Sequence, residues 1–342
     1  MAIGKKPSVG AAFVGCAHIH TPNFVKRLQN RRDVRVLAVW DHDHARAQKT
    51  ADVFGAPVTQ LDAVWSNDDI AAVIICAETN RHPELVAAAA AAGKHLFVEK
   101  PLAITGRDAF ALAEAIERAG VRFQTGYFMR GQPINRFVRE QIQRGSFGTL
   151  TRIRASNCHS GALKGWFDAE WGWMADPRIA GFGGFGDLGT HALDLLVWML
   201  GDVESVTASV QTGTGRYAPC DECGEGMLLF KNGTLGTLAA GWVDVSNPVT
   251  LEVCGTEGHA HVVNGELYLQ SASIAGADGK QPWRKLPDAL PHAFELFLDA
   301  IVGKPDVPLV GAREAALRST VMEAMYEGAN QHTWIAPIVL AE

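Results

Sequence analysis

The sequence predicts two domains: an α/β domain with a doubly wound parallel sheet, and an α+β domain with a large open, mainly antiparallel sheet. Between residues 9 and 125, short and almost fully apolar runs alternate with helical stretches, as in a parallel sheet covered on both faces. After about residue 128, runs typical of strands follow one another with few helices between them. A chain of 342 residues has enough material for two cores. We therefore place the domains at residues 1–127 and 128–342.

The first domain has five predicted strands, each a short run rich in Val, Ile, Ala or Phe, and four predicted helices, three of which end near a glycine. The strands are predicted at 9–15, 34–40, 71–77, 95–99 and 121–127, and the helices at 20–30, 43–55, 82–93 and 106–120. In the second domain, KNGT at 231–234 is typical of a tight hairpin connection. Two helical patterns, at 291–303 and 312–330, follow the strands.

Charge and hydropathy exclude several classes of protein. The formal net charge of -6 and the lack of a basic block argue against a nucleic-acid partner. No apolar run approaches the ~20 residues that span a bilayer, and the first residues lack the apolar region of a secretory signal. The expectation is a cytoplasmic protein without a membrane segment.

The six cysteines are scattered, which is typical of reduced thiols rather than of a disulfide framework. Cys220 and Cys223 have the spacing of a zinc knuckle, but no second pair of ligands lies at the usual distance. A solvated loop is therefore favoured there, and no metal is predicted.

A glycine turn lies between the first strand and the first helix, in VGAAFVGCAHIHTPNF (9–24). This is where a dinucleotide-binding fingerprint belongs, with Gly15, Ala17 and His20 in its three glycine positions. Gly15 supplies the tight turn, and Ala17 is small enough to let a pyrophosphate approach the backbone. A plain strand–turn–helix connection explains the loop equally well.

Asp41 follows the second strand, at the distance where an acidic group accepts the adenosine ribose hydroxyls. A carboxylate repels a 2′-phosphate, so NAD is predicted over NADP. His42, His44 and Arg46 keep NADP open, and a helix cap or turn residue is the structural alternative for Asp41.

Two further groups suggest catalysis. In KHLFVEKPLA (94–103), a buried strand ends at Glu99, Lys100 and Pro101, and open α/β sheets bind ligands at such strand ends. In GDLGTHALDLLVWMLG (186–201), Asp187 and His191 stand four residues apart on one helix face. A carboxylate one turn from an imidazole supports a general base near neutral pH, although a capping Asp beside a structural His gives the same spacing.

These two motifs, with ETNRHPELVAAAAAAGKH (78–95), RGQP (130–133) and the terminal HAFELFLDAIVG, resemble the Gfo/Idh/MocA family of sugar and cyclitol dehydrogenases over nearly the whole chain. The resemblance implies an NAD-binding Rossmann domain and a second domain whose open sheet often packs against another subunit, so a homo-oligomer, dimer or tetramer, is expected. It also implies that Lys100 lies in a cleft beside the nicotinamide, that Glu99 holds the turn, and that Pro101 fixes it, often through a cis bond.

By the same resemblance, Lys100, Asp187 and His191 form the catalytic group. His191 is expected to act as the base, Lys100 to stabilise alkoxide character, and Asp187 to bind a second hydroxyl and support the imidazolium. The predicted cofactor-binding residues are Gly15, Ala17, His18, Ile19, His20, Asp41, His42, Ala77, Thr79, Asn80, His82, Glu99 and Lys100. The predicted substrate-binding residues are Lys100, Tyr127, Arg130, Asn157, Trp166, Asp187 and His191.

Trp166 and Asn157 come from the aromatic-rich segment 156–184, whose ring faces and polar donors suit a pyranose or cyclitol. In the alternative interpretation, some of these rings fill an interface between domains or subunits. The sequence thus predicts an NAD-dependent dehydrogenase that oxidises a secondary hydroxyl of a sugar, glycoside or cyclitol. An NAD-recycling enzyme that cleaves glycosides and a non-catalytic nucleotide sensor on the same scaffold are the alternatives.

Overall fold

The computed structural model describes residues 8–338 and divides the chain into two compact units. Unit 1 contains the chain up to Gly126 together with Pro291–Leu317. Unit 2 contains Tyr127–Leu290 and the chain from Arg318 onward. The first boundary lies one residue from the predicted one, but the second domain is not the continuous segment 128–342 that the sequence suggested.

Unit 1 is built on a five-stranded parallel sheet with strand order β2-β1-β3-β4-β5. The strands are β1 Val9–Cys16, β2 Val34–Trp40, β3 Ile70–Cys76, β4 His95–Val98 and β5 Phe123–Thr125. The helices between them are α1 Thr21–Gln29, α2 His44–Phe54, α3 Leu61–Trp65, α4 His82–Ala91 and α5 Gly106–Ala119. The order reverses direction at β1, which brings the loops after β1 and β3 together at the carboxyl edge of the sheet.

Local sequence explains most of these boundaries. Strands β1 and β3 are almost fully buried, as expected of apolar strands with helices on both faces. The Asp43 side chain caps α2 by accepting the backbone N–H groups of Ala45 and Arg46, and Thr105 caps α5 in the same way. Both helices end at glycines with left-handed backbone, Gly55 and Gly120.

The helix α9, Ala293–Ile301, belongs to unit 1 although it follows the strands of unit 2 in the sequence. Its buried residues Phe294 and Phe297 pack against Phe97 of β4, with ring centroids 4.9 and 5.9 Å away. The side-chain amide of Gln124 adds to this attachment, since it donates to the carbonyl of Ala293 at 3.3 Å and accepts the backbone N–H of Val310 at 2.8 Å. The apolar face of α9 therefore completes the core of the parallel sheet, which sequence order could not indicate.

Unit 2 is built on an eight-stranded sheet with order β13-β12-β11-β10-β6-β9-β8-β7. The strands are β6 Leu150–Cys158, β7 Val203–Gln211, β8 Cys223–Phe230, β9 Leu235–Gly241, β10 Val249–Gly255, β11 Gly258–Val263, β12 Glu266–Ser271 and β13 Asp278–Pro282. The helices are α6 Pro133–Gln143, α7 Pro177–Ala180, α8 Gly184–Leu200 and α10 Ala312–Gln331, and the unit boundary falls inside α10. All neighbouring strands are antiparallel except β6 and β9, which are parallel.

Helix α8 packs closely on one face of this sheet. A Cβ atom at Gly189 would lie 3.2 Å from Leu238 of β9 and 3.3 Å from Met322 of α10, so this small residue permits the close approach of the three elements. The predicted hairpin at 231–234 connects β8 and β9, and its Gly233 has a φ of +83°. The antiparallel character and the hairpin are thus confirmed.

Within the described residues, no helix is both long enough and apolar enough to cross a bilayer.

Candidate active site

In unit 1, the loop after β1 turns sharply at Gly15, which has a φ of +83°. A Cβ atom at Gly15 would lie 2.5 Å from the Cβ of Ala77, so only glycine fits between the ends of β1 and β3. The loop is held to β3 by the His18 N–H, which donates to the carbonyl of Cys76 at 3.0 Å. Helix α1 begins six residues after Gly15 and directs its N-terminal N–H groups toward this edge, the geometry that accepts a pyrophosphate.

The carboxylate of Glu99 lies beneath this loop and is fully buried. It accepts the backbone N–H of Lys100 at 3.0 Å and faces Nδ1 of His20 at 3.1 Å and Nε2 of His18 at 3.9 Å. Burial alone would raise the pKa of Glu99, but His18, His20 and Lys100 hold it well below the usual value. Glu99 is therefore a buried anion that ties the strand end to the loop.

His18, His20 and Glu99 also place three potential metal-ligand atoms within 4.8 Å of one another. The hydrogen bonding favours a different role. Nδ1 of His18 accepts the backbone N–H of His20, so in the neutral ring the proton is on Nε2, which faces Glu99. A metal on Nε2 would need that ring proton on Nδ1, which already accepts the His20 N–H, so His18 is suited to the carboxylate rather than to a metal.

Lys100 is 3% exposed and its bond to Pro101 is cis, as the resemblance implied. The predicted cofactor ligand His82 is 1% exposed, with Nδ1 3.0 Å from the carbonyl of Pro101 and Nε2 3.3 Å from that of Ala77. Burial lowers the pKa of His82, so the ring is neutral. Its ring nitrogens therefore connect the loops after β3 and β4, and its role as a cofactor ligand stays a prediction.

The carboxylate of Asp41, the predicted ribose ligand, is bound by another side chain of the protein. Its side chain is 0% exposed, and Arg46 donates to both carboxylate oxygens, at 2.8 and 2.7 Å. The other predicted cofactor residues divide by burial. Ala17, Ala77 and Thr79 are buried, Ile19 and His20 are partly exposed, and His42 and Asn80 are exposed.

In unit 2, helix α8 carries Asp187 and His191 one turn apart. Asp187 accepts the indole N–H of Trp242 at 2.9 Å, and Trp242 is itself fully buried against Phe167. An indole N–H is a fixed donor, so it orients the carboxylate. Sequence reasoning missed Trp242 because it lies on a distant strand end with no motif around it.

His191 is 4% exposed and packs against two aromatic rings. The rings of Tyr127 and Phe128 lie at steep angles to the imidazole, with ring centroids 6.1 and 5.3 Å away. The hydroxyl of Tyr127 hydrogen-bonds that of Thr190, the residue before His191, at 3.0 Å. Burial raises the pKa of Tyr127, so its hydroxyl stays protonated and serves to position this turn of α8.

One turn further along α8, Asp194 is 1% exposed and binds two arginines. Arg130 donates to both of its oxygens at 2.8 and 2.6 Å, and Arg318 donates to one at 2.9 Å. The structure thus gives the predicted substrate residue Arg130 a structural partner. Asp194 and Arg318, which sequence reasoning did not single out, anchor α8 to the segment before α6 and to α10.

Asn157 and Trp166, the predicted substrate contacts from the aromatic segment, have different surroundings. Asn157 donates from its amide to the carbonyl of Leu188 in α8 at 3.0 Å. Trp166 is 40% exposed and packs beside His159, with ring centroids 4.9 Å apart.

The Cys220–Cys223 segment also contributes to α8. Asp221 accepts the backbone N–H groups of Gly183 and Phe185 at the start of the helix, and the hydroxyl of Tyr326 donates to it. Burial raises the pKa of Asp221 despite these bonds. The segment therefore anchors the start of the helix that carries Asp187 and His191.

Comparisons with known proteins agree with this architecture. Residues 9–127 match the family described as "Oxidoreductase family, NAD-binding Rossmann fold", and residues 135–261 match the "GFO/IDH/MocA C-terminal domain". The chain is 28% identical to levoglucosan dehydrogenase of Pseudarthrobacter phenanthrenivorans over 62% of this chain and 60% of that protein. It is 24% identical to inositol 2-dehydrogenase of Rhizobium meliloti over 79% of this chain and 84% of that protein.

Among solved structures, GenD2 from gentamicin A biosynthesis, in complex with NAD, is similar with a TM-score of 0.81 and 24% identity, covering 98% of this chain and 97% of that one. The parallel sheet, its glycine turn and the second sheet define a dinucleotide-binding oxidoreductase. The chain belongs to the GFO/IDH/MocA family, and its first unit is an NAD-binding Rossmann domain.

Proposed function

We propose that the protein is an NAD-dependent dehydrogenase that oxidises a secondary hydroxyl of a sugar, glycoside or cyclitol. The observation that carries this proposal is the construction of α8, where Trp242 orients Asp187 and the rings of Tyr127 and Phe128 pack against His191 one turn away. The names of the two curated relatives, which act on an anhydrosugar and a cyclitol, support the substrate class.

NAD, when bound, supplies the hydride acceptor for the carbon that bears the hydroxyl. His191 takes the hydroxyl proton as the C–H bond breaks, so the alcohol becomes a carbonyl and one proton remains on the imidazole. Lys100 donates a hydrogen bond to the same oxygen as negative charge develops there. Asp187 accepts a neighbouring hydroxyl and, from one turn away, stabilises the imidazolium. The meeting of Lys100 and His191 at one alcohol is part of the proposal.

Absorbance of NADH during incubation of the protein with NAD and a panel of sugars and cyclitols tests the reaction. The His191→Ala variant should lose about 10²–10⁴-fold in kcat while NAD binding persists. The exposed His332, replaced in His332→Asn, is the matched control and should keep full activity. Full activity in His191→Ala would remove the proposed base.

Two other outcomes would replace the proposal. Release of an aglycone without net NADH would indicate transient oxidation in a glycoside-cleaving enzyme. Tight binding of NAD without turnover of any polyol would indicate a nucleotide sensor.

We also infer a homo-oligomer that forms through the open face of the eight-stranded sheet. Met227 and Leu235 are 39% and 37% exposed on neighbouring strands, and Arg154 and Glu225 form an exposed ion pair beside them. Such a mixed surface is typical of an interface. Light scattering after size exclusion should give a dimer or tetramer, and Met227→Lys should dissociate it; a monomeric wild type would contradict the inference.

All six cysteines are free thiols, which supports a cytoplasmic location.

A further inference from the structure

An arginine–aspartate cluster, made of Arg130, Asp194 and Arg318, lies beside His191 in unit 2. Asp194 follows His191 by three residues on α8, so the two side chains are neighbours on the helix surface. His191 is 4% exposed and Asp194 is 1% exposed. The side chains of Arg130 and Arg318 are 12% and 3% exposed. Water and salt screen buried charges only weakly, so the cluster acts on groups beyond its own hydrogen bonds.

Tyr127 shows that this field extends to the surroundings of His191. Its ring packs against the imidazole with ring centroids 6.1 Å apart. Burial raises the pKa of Tyr127, the charge of Asp194 raises it further, and the charges of Arg318 and Arg130 lower it. The three charges of the cluster therefore act on a side chain that packs directly against His191.

Arg130 also fixes the backbone next to His191. It lies in the 3₁₀ turn Phe128–Gly131, and the ring of Phe128 packs against the imidazole with ring centroids 5.3 Å apart. Two hydrogen bonds from Arg130 to Asp194, at 2.8 and 2.6 Å, connect this turn to α8. The same ion pair thus holds an aromatic neighbour of His191 in place and sets charge beside it.

We propose that the arginine–aspartate cluster sets the proton affinity of His191, with Arg130 as a positioning residue for the base rather than a ligand of the sugar. The two guanidinium groups disfavour a proton on the imidazole, whereas the Asp194 carboxylate favours it. Asp187, one turn before His191, adds a second favourable charge. The consequence for catalysis rests on the proposed function, in which His191 must begin each turnover neutral in order to accept a proton.

NMR titration of the ligand-free protein, labelled at the histidine Cε1 atoms, tests this proposal without any turnover. The His191 signal is the one absent from His191→Asn. Asp194→Asn should lower the midpoint of the His191 titration by about one pH unit, and Arg130→Gln should raise it by about as much, since each variant removes one charge about a helical turn away. Asp187, Tyr127 and Lys100 are unchanged in both variants.

The double variant, Asp194→Asn with Arg130→Gln, removes one charge of each sign. It should titrate within about 0.3 pH units of the wild type, because the two electrostatic effects cancel. Arg139→Gln is the matched control. Arg139 also contacts α8, where its Nε donates to the carbonyl of Trp198 at 2.9 Å, but this point lies about two turns beyond His191. Its removal should move the midpoint by less than about 0.3 pH units.

A purely structural role of the ion pair predicts a different result. Loss of either partner would then loosen the turn at Phe128, and both single variants would shift the midpoint in the same direction. Shifts of the same sign overturn the proposal. A midpoint for Arg130→Gln at or below that of the wild type also overturns it, even where Asp194→Asn fails to fold. So does a His191 signal that titrates in no folded variant between about pH 5 and pH 8.

Kinetics separate this inference from the proposed function. The acidic limb of the pH profile of kcat/KM should move in the same order as the NMR midpoints, because it reports the base of the free enzyme. NMR midpoints that shift as expected while this limb stays in place would contradict His191 as the base and leave the effect of the cluster on its proton affinity confirmed.

Discussion

Glu99 in unit 1 and Asp194 in unit 2 are both buried carboxylates near predicted site residues, and they are stabilised differently. Glu99 in unit 1 is surrounded by the imidazoles of His18 and His20 and by a backbone N–H. Asp194 in unit 2 is paired with Arg130 and Arg318. Imidazoles carry a positive charge only when protonated, whereas guanidinium groups stay charged. The carboxylate of Asp194 therefore lies in a permanent ionic anchor for α8, whereas that of Glu99 also depends on a backbone hydrogen bond.

The largest expected effect comes from breaking the permanent anchor. Asp194→Asn removes the carboxylate that pairs with the buried Arg318 and the partly buried Arg130, and we expect a loss of about 3–5 kcal/mol in the free energy of unfolding. Urea denaturation measures it. The exposed pair of Arg154 and Glu225 gives the control, because Glu225→Gln should cost less than about 1 kcal/mol. Equal losses of unfolding free energy in the two variants would show that burial does not determine how much an ion pair contributes.

A smaller effect, with a dependence on pH, is expected at Glu99. Glu99→Gln should lower the free energy of unfolding by about 1–3 kcal/mol at pH 7. The native pKa of Glu99 is depressed, so its ionised form stabilises the fold above its usual pKa, and this contribution is lost as the pH falls below that value. Wild type and variant should therefore become more alike in urea denaturation below about pH 4.5. A gap that widens in acid would contradict the assignment of Glu99 as a buried anion.

The smallest effect concerns His292, which caps α9 in unit 1. Its Nδ1 accepts the Phe294 N–H, and Glu295 accepts the His292 N–H in return. Burial and the nearby Arg27 lower the pKa of His292 to about 4. The unfolded chain binds a proton near pH 6.5, so this residue costs stability as the pH falls from about 6.5 toward 4.

His292→Asn keeps a good cap without a titrating group. Its melting temperature should fall less between pH 7 and pH 5 than that of the wild type. The exposed His332 again supplies the control, since His332→Asn should leave the wild-type slope unchanged. An identical slope in His292→Asn would show that another group causes the acid sensitivity.

The elements of unit 1 were predictable because their signals are local. The predicted strand at 34–40 and helix at 82–93 differ from β2 and α4 by at most two residues, since apolar runs, caps and terminal glycines act within a few residues. The position of α9 was not predictable. Its apolar face would suit either core, and only its contacts with Phe97 assign it to unit 1.

The residues of the candidate site show the same contrast between local signals and tertiary contacts. Asp187 and His191 share a helix face by spacing alone, as predicted, but the donor that orients Asp187 is Trp242, 55 residues away. The sequence placed Asp41 at the end of β2, as the structure does, but it did not show that the carboxylate is hydrogen-bonded to Arg46 and to two backbone N–H groups. Spacing identifies which side chains share an edge, but it does not count the hydrogen bonds that each one already makes.

The sequence by itself determined the alternation of strands and helices, the glycine turn, the strand end at Lys100 and the helix that carries His191, because each depends on neighbours in the chain. Only the tertiary structure decided which carboxylates are saturated, which are ion-paired and which retain an acceptor. Those properties depend on burial and on donors from distant segments, and a group's chemistry in a folded protein is set by what remains after its internal partners are satisfied.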